Sequence, residues 1–340
     1  RRQRQMCIRD RPKLLLLSPA FHGYWKAIQA SLEVHGYEVR THIYDAPGTL
    51  PERILNKLAH ELPEKYRPES FAAQATRKAI DAFNEFRPDI VLVIKGDMLS
   101  REWWDLLETS GVRYGTWLYD EMRRMSYTEE DLHHLGALAS YSPLDAQHLR
   151  EQGFEVLDMP NAYDTHCPVV PMREDSINFV GAKYPNREET LQALVAAGLP
   201  VRAYGRAWSR HPYDILRTKQ FKDSGVPAGR DIDRSEAYGI MASSPATLNI
   251  HNNQDGFTMR TFEAPGVGAL QVIDRADVDR YYIPGEEVLV YESIDELIEI
   301  CTRIFREPKW ARQIREAGQK RTLAEHTFDQ RVKILEQLWA

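Results

Sequence analysis

The apolar positions of this chain fall into short dense runs, separated by longer stretches with helical spacing. Lys13-Leu14-Leu15-Leu16-Leu17 is one such run, with the length of a strand buried on both faces. It breaks at Ser18-Pro19-Ala20-Phe21-His22-Gly23. Ala27, Ile28, Ala30, Leu32 and Val34, stopped by Gly36, then predict a helix. Residues 37–43 predict a second strand, which completes the β-loop-α-β unit of parallel sheets. A helix is expected over about 68–86, and Pro88-Asp89 introduces the strand 90–94, closed by Lys95-Gly96-Asp97. The stretch 113–120 repeats that form, a strand with polar residues at its C-terminal end; 137–141 and 156–159 are weaker strand signals.

Between about Asn161 and Asp175 the pattern lapses into Pro168, Pro171 and charged residues, which predicts an interdomain linker. A second series opens with the strand 177–181. It continues with a helix through Leu191, Leu194 and Val195 and a strand at 201–205. Further strands are expected at 246–250, 269–273 and 288–291, and helices at 294–305 and 310–323. After His326, the residues Phe328, Val332, Leu335 and Leu338 form one apolar stripe. The expected class is therefore α/β, with two Rossmann-like domains, 12–165 and 172–325, facing across a cleft. A C-terminal helix within 326–340 is expected, able to return to the first domain. In open α/β sheets ligands bind at the C-terminal ends of strands, so the polar residues there carry the functional information.

A length of 340 residues suits two cores rather than one. A hydrophobic fraction of 43% and a net charge of −6 describe an ordinary globular protein, and argue against one built mainly to grip phosphate backbones. Cys7, Cys167 and Cys301 form neither a zinc spacing nor a disulfide framework, and the expected compartment is the cytoplasm. Residues 1–11 are basic, carry no apolar core, and read as a disordered or non-native tail outside the fold. No uncharged apolar run is long enough for a membrane span.

The most informative stretch runs from Asn249 to Ala269. A strand ends in polar residues, Gly256 allows a turn, and a helix is expected to open near Arg260. Helix-opening N–H groups together with an arginine favour a phosphate. Glu263, slightly farther on, could accept both hydroxyls of a ribose. A solvated loop, with an early acidic residue complementing the helix dipole, is the plainer alternative.

Arg260-Thr261-Phe262-Glu263-Ala264-Pro265, Gly268-Ala269-Leu270-Gln271, Pro284-Gly285-Glu286-Glu287-Val288 and Glu325-His326-Thr327-Phe328 with Arg331 occur in this order. Together they resemble the C-terminal half of CgeB-like glycosyltransferases, which have the GT-B fold. The likeness extends to Phe179-Val180-Gly181 with Arg187, and to Tyr204-Gly205 with Trp208. It is looser in the N-terminal half, through Pro88-Asp89, Lys95-Gly96-Asp97 and Trp117-Leu118-Tyr119-Asp120.

The resemblance implies transfer of a sugar from a nucleotide-diphosphate sugar, a UDP-sugar first among them, to an acceptor hydroxyl, with no metal and no other cofactor. It implies a donor site formed by Gly181, Arg187, Gly205, Trp208, His251, Arg260, Thr261 and Glu263. Within it Glu263 resembles the ribose-binding acid, Arg260 would meet the diphosphate, and the two glycines would let backbone approach the donor. Asp255, eight residues before Glu263, resembles the first acid of a Glu-x7-Glu pattern with aspartate in its place. Trp208 would border the base or simply pack. His22 and Asp120 resemble the His–Asp pair of inverting GT-B enzymes, and Lys95 and Asp97 would line the acceptor side or form a solvated turn.

Other motifs carry less. Asp231-Ile232-Asp233 matches a manganese motif of another glycosyltransferase fold, but no apolar strand precedes it. His133-His134 are adjacent and cannot share a helix face as metal ligands. Two alternatives stay open: a nucleotide-sugar 2-epimerase of the same architecture, and a non-catalytic nucleotide- or sugar-binding module. The acceptor could be a glycan, a protein, a small molecule or a modified base in phage DNA.

Overall fold

The computed structural model describes residues 11–46 and 70–340. The chain divides into two compact units. One consists of residues up to Pro160 together with Arg331–Ala340, the other of Asn161–Gln330.

The first unit is a six-stranded sheet of β1 (Lys13–Ser18), β2 (Glu38–Ile43), β3 (Ile90–Ile94), β4 (Arg113–Leu118), β5 (Ala137–Ser140) and β6 (Val156–Asp158). All pairings are parallel, in the order β2-β1-β3-β4-β5-β6. Strands β1 and β3 are central, which explains their unbroken apolar runs: helices cover both faces, so no position is left to water. The described helices are α1 (Trp25–Val34), α2 (Ser70–Phe86), α3 (Arg101–Ser110), α4 (Glu129–Leu132) and α5 (Pro143–Glu151). Helix α3 buries Trp103, Trp104 and Leu107, one face at helical spacing, and stops at Gly111 in the left-handed conformation. Helix α5 starts where the Ser142 hydroxyl accepts from the Asp145 N–H at 3.0 Å, with Pro143 in its first turn. The sheet order reverses between β1 and β3, a topological switch point.

The second unit holds β7 (Ile177–Val180), β8 (Val201–Tyr204), β9 (Ala228–Gly229), β10 (Thr247–Asn249), β11 (Gln271–Ile273) and β12 (Leu289–Val290). These too are all parallel, in the order β12-β11-β10-β7-β8-β9. Read from the β9 edge this is the doubly wound Rossmann order, and its switch point lies between β7 and β10. Its helices are α6 (Pro185–Ala196), α7 (Pro212–Thr218), α8 (Arg234–Ser243), α9 (Arg260–Gly266), α10 (Ile294–Arg306) and α11 (Pro308–Glu325). The core between sheet and helices is built from Phe179, Leu191, Leu194, Leu248, Val272, Leu297 and Ile304 among others.

The last helix, α12 (Phe328–Leu335), leads into residues that cluster with the first unit. There the Tyr37 hydroxyl donates to Glu336 at 3.1 Å, the Trp339 indole N–H donates to that hydroxyl at 3.2 Å, and Arg113 donates to the Trp339 carbonyl at 3.1 Å. Gly115 in β4 makes room for this segment, since a Cβ there would stand 2.8 Å from the Leu338 Cβ.

Three elements depart from the sequence expectations. Helices α7 and α8 and strand β9 occupy a region that reads as polar. The stretch 161–175 holds no helix or strand, as a linker would, but its first residues do not span open solvent. Asn161, Ala162, Tyr163 and Asp164 are buried in the second unit, and the Asn161 amide donates to the Phe257 carbonyl at 2.8 Å. The division therefore falls at Pro160, earlier than residue 165, because these side chains have partners in the unit that follows. Of residues 1–11, all but Arg11 lie outside the described residues. No described helix is long and apolar enough to cross a membrane.

Candidate functional site

In the second unit the loops after β7, β8, β10 and β11 meet around the switch point. Strand β7 gives way to Gly181, whose N–H donates to the Tyr204 carbonyl at 3.0 Å and whose own carbonyl accepts from the Trp208 indole at 3.0 Å. Gly205 has φ +151°, and a Cβ there would stand 2.6 Å from the Gly181 oxygen. Glycine is required at this position because two backbones touch, and only hydrogen fits between them. Trp208 is 2% exposed and packs edge-on against Phe179. It has no open face for a base; its work is to hold the Gly181 loop.

Arg187 in the first turn of α6 bridges the switch point. Its Nε donates to the Ile250 carbonyl at 2.8 Å and its Nη1 to the Ala182 carbonyl at 3.0 Å, while the guanidinium lies over Phe179 and Tyr184. Burial lowers its pKa from the ordinary arginine value, with Tyr184 and Asp274 acting in the opposite direction. Asn186 beside it donates to the His251 carbonyl at 2.7 Å. Both side chains tie the end of β10 to the loop after β7.

His251 is buried, and Asp274 at the end of β11 accepts from both its backbone N–H and its Nδ1 at 2.8 Å. An ionised carboxylate can only accept, so Nδ1 carries the proton. Nε2 then faces inward with no hydrogen-bond partner among the described residues. The next residue, Arg275, clasps the loop that carries Asp255. Its Nη1 donates to the carbonyls of Gln254 at 3.2 Å, Asp255 at 2.7 Å and Gly256 at 3.4 Å. Asp277 anchors the guanidinium, which lies 4.0 Å over the Phe257 ring.

Helix α9 opens at Arg260, as its sequence predicts. Arg260 Nη1 lies 2.8 Å from Glu263 Oε2, one helical turn away, and the Tyr238 hydroxyl donates to Glu263 Oε1 at 3.1 Å. Glu263 is 0% exposed, whereas Arg260 is partly open. The expectation was a carboxylate open to a ribose; the arrangement seen is a buried carboxylate that orients a guanidinium about one-fifth exposed. Thr261 points into the protein, its hydroxyl accepting from the Asn249 amide at 2.9 Å. The structure thus gathers Gly181, Arg187, Gly205, His251, Asp255, Arg260 and Glu263 onto the C-terminal strand ends of one unit. Trp208 and Thr261 sit behind them as support.

In the first unit the turn after β3 is well braced. Lys95 has φ +63°, its carbonyl accepts from the Tyr127 hydroxyl at 2.6 Å, and the Gly96 N–H donates to the Tyr44 hydroxyl at 3.2 Å. Lys95 Nζ lies 3.2 Å from Asp120 and 3.9 Å from Asp97, whose carboxylate accepts from the Ser126 N–H at 3.2 Å. The turn is therefore a charged cluster, not a loosely solvated one. His22 stands at φ +46°, exposed, with its ring against Phe21 at 5.0 Å. It makes no hydrogen bond or ion pair with Asp120, whose carboxylate is taken by Lys95 and, at 3.9 Å, by Arg124. The His–Asp pair expected from the resemblance is not formed, because the lysine from the intervening strand β3 claims the aspartate.

Asp231 pairs with Arg206 at 2.6 Å and Asp233 caps α8 with a reciprocal bond to Glu236, so both aspartates of that motif have structural partners. His134 bonds Glu108 and Arg101. Among the described residues no group of three or more His, Cys, Asp and Glu side chains is placed so that it could hold a metal ion. The sequence reading missed Tyr238, Asp274 and Arg275. The last two follow the apolar strand β11 directly, so the strand-end rule that singled out Asp120 would have found them.

Residues 187–337 match the glycosyl transferase-like family. The spore protein CgeB of Bacillus subtilis (strain 168) is 20% identical over 265 residues, spanning 72% of this chain and 81% of CgeB. The chain is a glycosyltransferase of the GT-B fold, similar to the CgeB-like family. Among solved structures, this glycosyltransferase is similar to a sucrose-phosphate synthase from Thermosynechococcus elongatus, with TM-score 0.62 at 15% identity over 97% of this chain and 98% of that one. It is also similar to Anabaena HepE, crystallised with UDP-glucose, with TM-score 0.62 at 12% identity over 96% and 98% of the two chains. The family match in this glycosyltransferase opens on Arg187 and contains Arg260 and Glu263.

Proposed function

We propose that the protein transfers a sugar from a nucleotide-diphosphate sugar, foremost a UDP-sugar, to an acceptor hydroxyl without a metal ion. The observation that carries this reading is Arg260, partly open at the start of α9 and aimed by the buried Glu263. A guanidinium held in this way meets a diphosphate by charge-assisted hydrogen bonds and stabilises the charge that develops as it leaves. Glu263 acts through Arg260, and reaches a ribose once Tyr238 or Arg260 yields one carboxylate oxygen. Asp255 approaches the transferred sugar from the loop after β10, and His251 behind it fastens that loop to Asp274. His22, Lys95, Asp97 and Asp120 serve the acceptor from the strand ends of the first unit. The UDP-glucose held by HepE supports a uridine donor here.

The test is thermal shift against UDP-, GDP- and dTDP-sugars. A specific donor at a hundredfold over its Kd adds about 2.7 kcal/mol of stability. Arg260→Ala should remove most of that gain. A protein stabilised by none of these nucleotides would overturn the proposal. Incubation with donor alone separates transfer from epimerisation, since an epimerase converts the sugar without any acceptor.

A further inference from the structure

The crossover between β8 and β9 carries the most exposed apolar side chains among the described residues. Tyr213 and Leu216 stand three residues apart on α7 and share a face, 59% and 74% exposed. Phe221, just beyond the helix, is 69% exposed. Leu216 and Phe221 are the two most exposed large apolar side chains among the described residues. Arg210 fixes the segment beyond the helix, donating to the Phe221 carbonyl at 3.3 Å and pairing with Asp223 at 3.4 Å. Asp214, on the inner side of α7, is buried and bound by Ser209 and Arg230, which fastens the helix to the unit with its apolar residues outward.

Cations neighbour these apolar groups in the sequence. Arg217, Lys219 and Lys222 are exposed and make no ion pair among the described residues. The stretch 210–223 holds four Lys and Arg against two acids, Asp214 and Asp223, which Arg230 and Arg210 bind, in a chain whose net charge is −6. Exposed aliphatic and aromatic side chains interspersed along the chain with unpaired cations match the boundary of an anionic bilayer, where the apolar groups enter between headgroups and the cations meet phosphates. A nucleic acid would satisfy the cations but gives Leu216 nothing to bury against. We infer that α7 and the segment through Lys222 dock this protein onto an anionic lipid surface.

The full chain is sedimented with vesicles of phosphatidylcholine alone, and with vesicles containing phosphatidylglycerol. Binding to the anionic vesicles that high salt releases is the expected result. Lys219→Gln with Lys222→Gln removes two charges and should lower the partition coefficient about thirtyfold. Leu216→Ser with Phe221→Ser should weaken binding at every salt concentration. All four positions are exposed, and circular dichroism verifies that the variants stay folded. The inference is overturned if anionic vesicles leave the protein in the supernatant at low salt, or if the variants bind as the parent does. It is also overturned if light scattering finds a dimer that Leu216→Ser dissolves, which would give the face to a second copy.

Discussion

Substituting Gly205 by alanine tests whether the ends of β7 and β8 meet backbone to backbone. At φ +151° an L side chain is strained, at a cost of about 1–3 kcal/mol. The added Cβ would also stand 2.6 Å from the Gly181 carbonyl oxygen. That oxygen belongs to the backbone and is held by the Trp208 indole at 3.0 Å, so it cannot swing aside. Overpacking of this kind costs about 1–3 kcal/mol more. A total of about 2–6 kcal/mol corresponds to a melting temperature lower by roughly 5–20 °C for a unit of this size. Thermal unfolding by circular dichroism measures this directly. Gly198→Ala is the control, because φ there is +78° but nothing lies within 4 Å of the added carbon. If Gly205→Ala melts no lower than Gly198→Ala, the close approach described here is wrong.

Arg275→Ala should free the loop carrying Asp255, at a cost of about 1.5–3 kcal/mol for hydrogen bonds from a charged donor; unchanged hydrogen exchange across residues 254–258 would refute that role. The Arg230 guanidinium, with help from the Ser209 hydroxyl, holds the Asp214 carboxyl below its ordinary range. Its contribution to stability is therefore full above the unfolded value of about 3.9 and is lost as pH falls through the lower folded value. The melting difference between the parent and Asp214→Asn should be largest near neutrality and close below about pH 4; a difference that persists in acid would contradict the assignment. Asp233→Asn should leave stability nearly unchanged while Asp233→Ala costs about 1 kcal/mol, since asparagine caps a helix as well as aspartate does. Equal loss in both variants would mean that the carboxylate does something other than cap α8.

The elements most legible in the sequence are those whose burial leaves one pattern possible. Strands β1 and β3 are covered on both faces, so Leu14–Leu17 and Ile90–Ile94 could be read almost to the residue. Helix α8 was hidden because Gly239 interrupts its apolar face. That glycine exists for packing, as a Cβ there would stand 1.8 Å from the Val170 carbonyl oxygen. Strand β9 has two residues at a sheet edge, too few for any periodicity. At the site, the stretch around Arg260 and Glu263 was readable because helix opening, arginine and acid are neighbours in sequence. The pairing of His251 with Asp274 joins two strands through 23 residues of chain, and no local pattern announces it. The expected partnership of His22 with Asp120 failed for the same reason: which cation reaches Asp120 depends on the strand that lies between.

The second unit is an uninterrupted insertion, and its two ends lie side by side. Tyr163 exchanges backbone hydrogen bonds with His326 at 2.8 Å and Phe328 at 3.1 Å, while in the first unit Arg331 Nε donates to the Pro160 carbonyl at 2.9 Å. Chain exit and re-entry are thus separated by about one side chain. Residues 161–330 therefore leave and rejoin the first unit at one place, and a cut that removed them as a single gene segment would have to pass outside α12, which straddles the boundary. The second unit and its scaffold could then be exchanged among relatives independently.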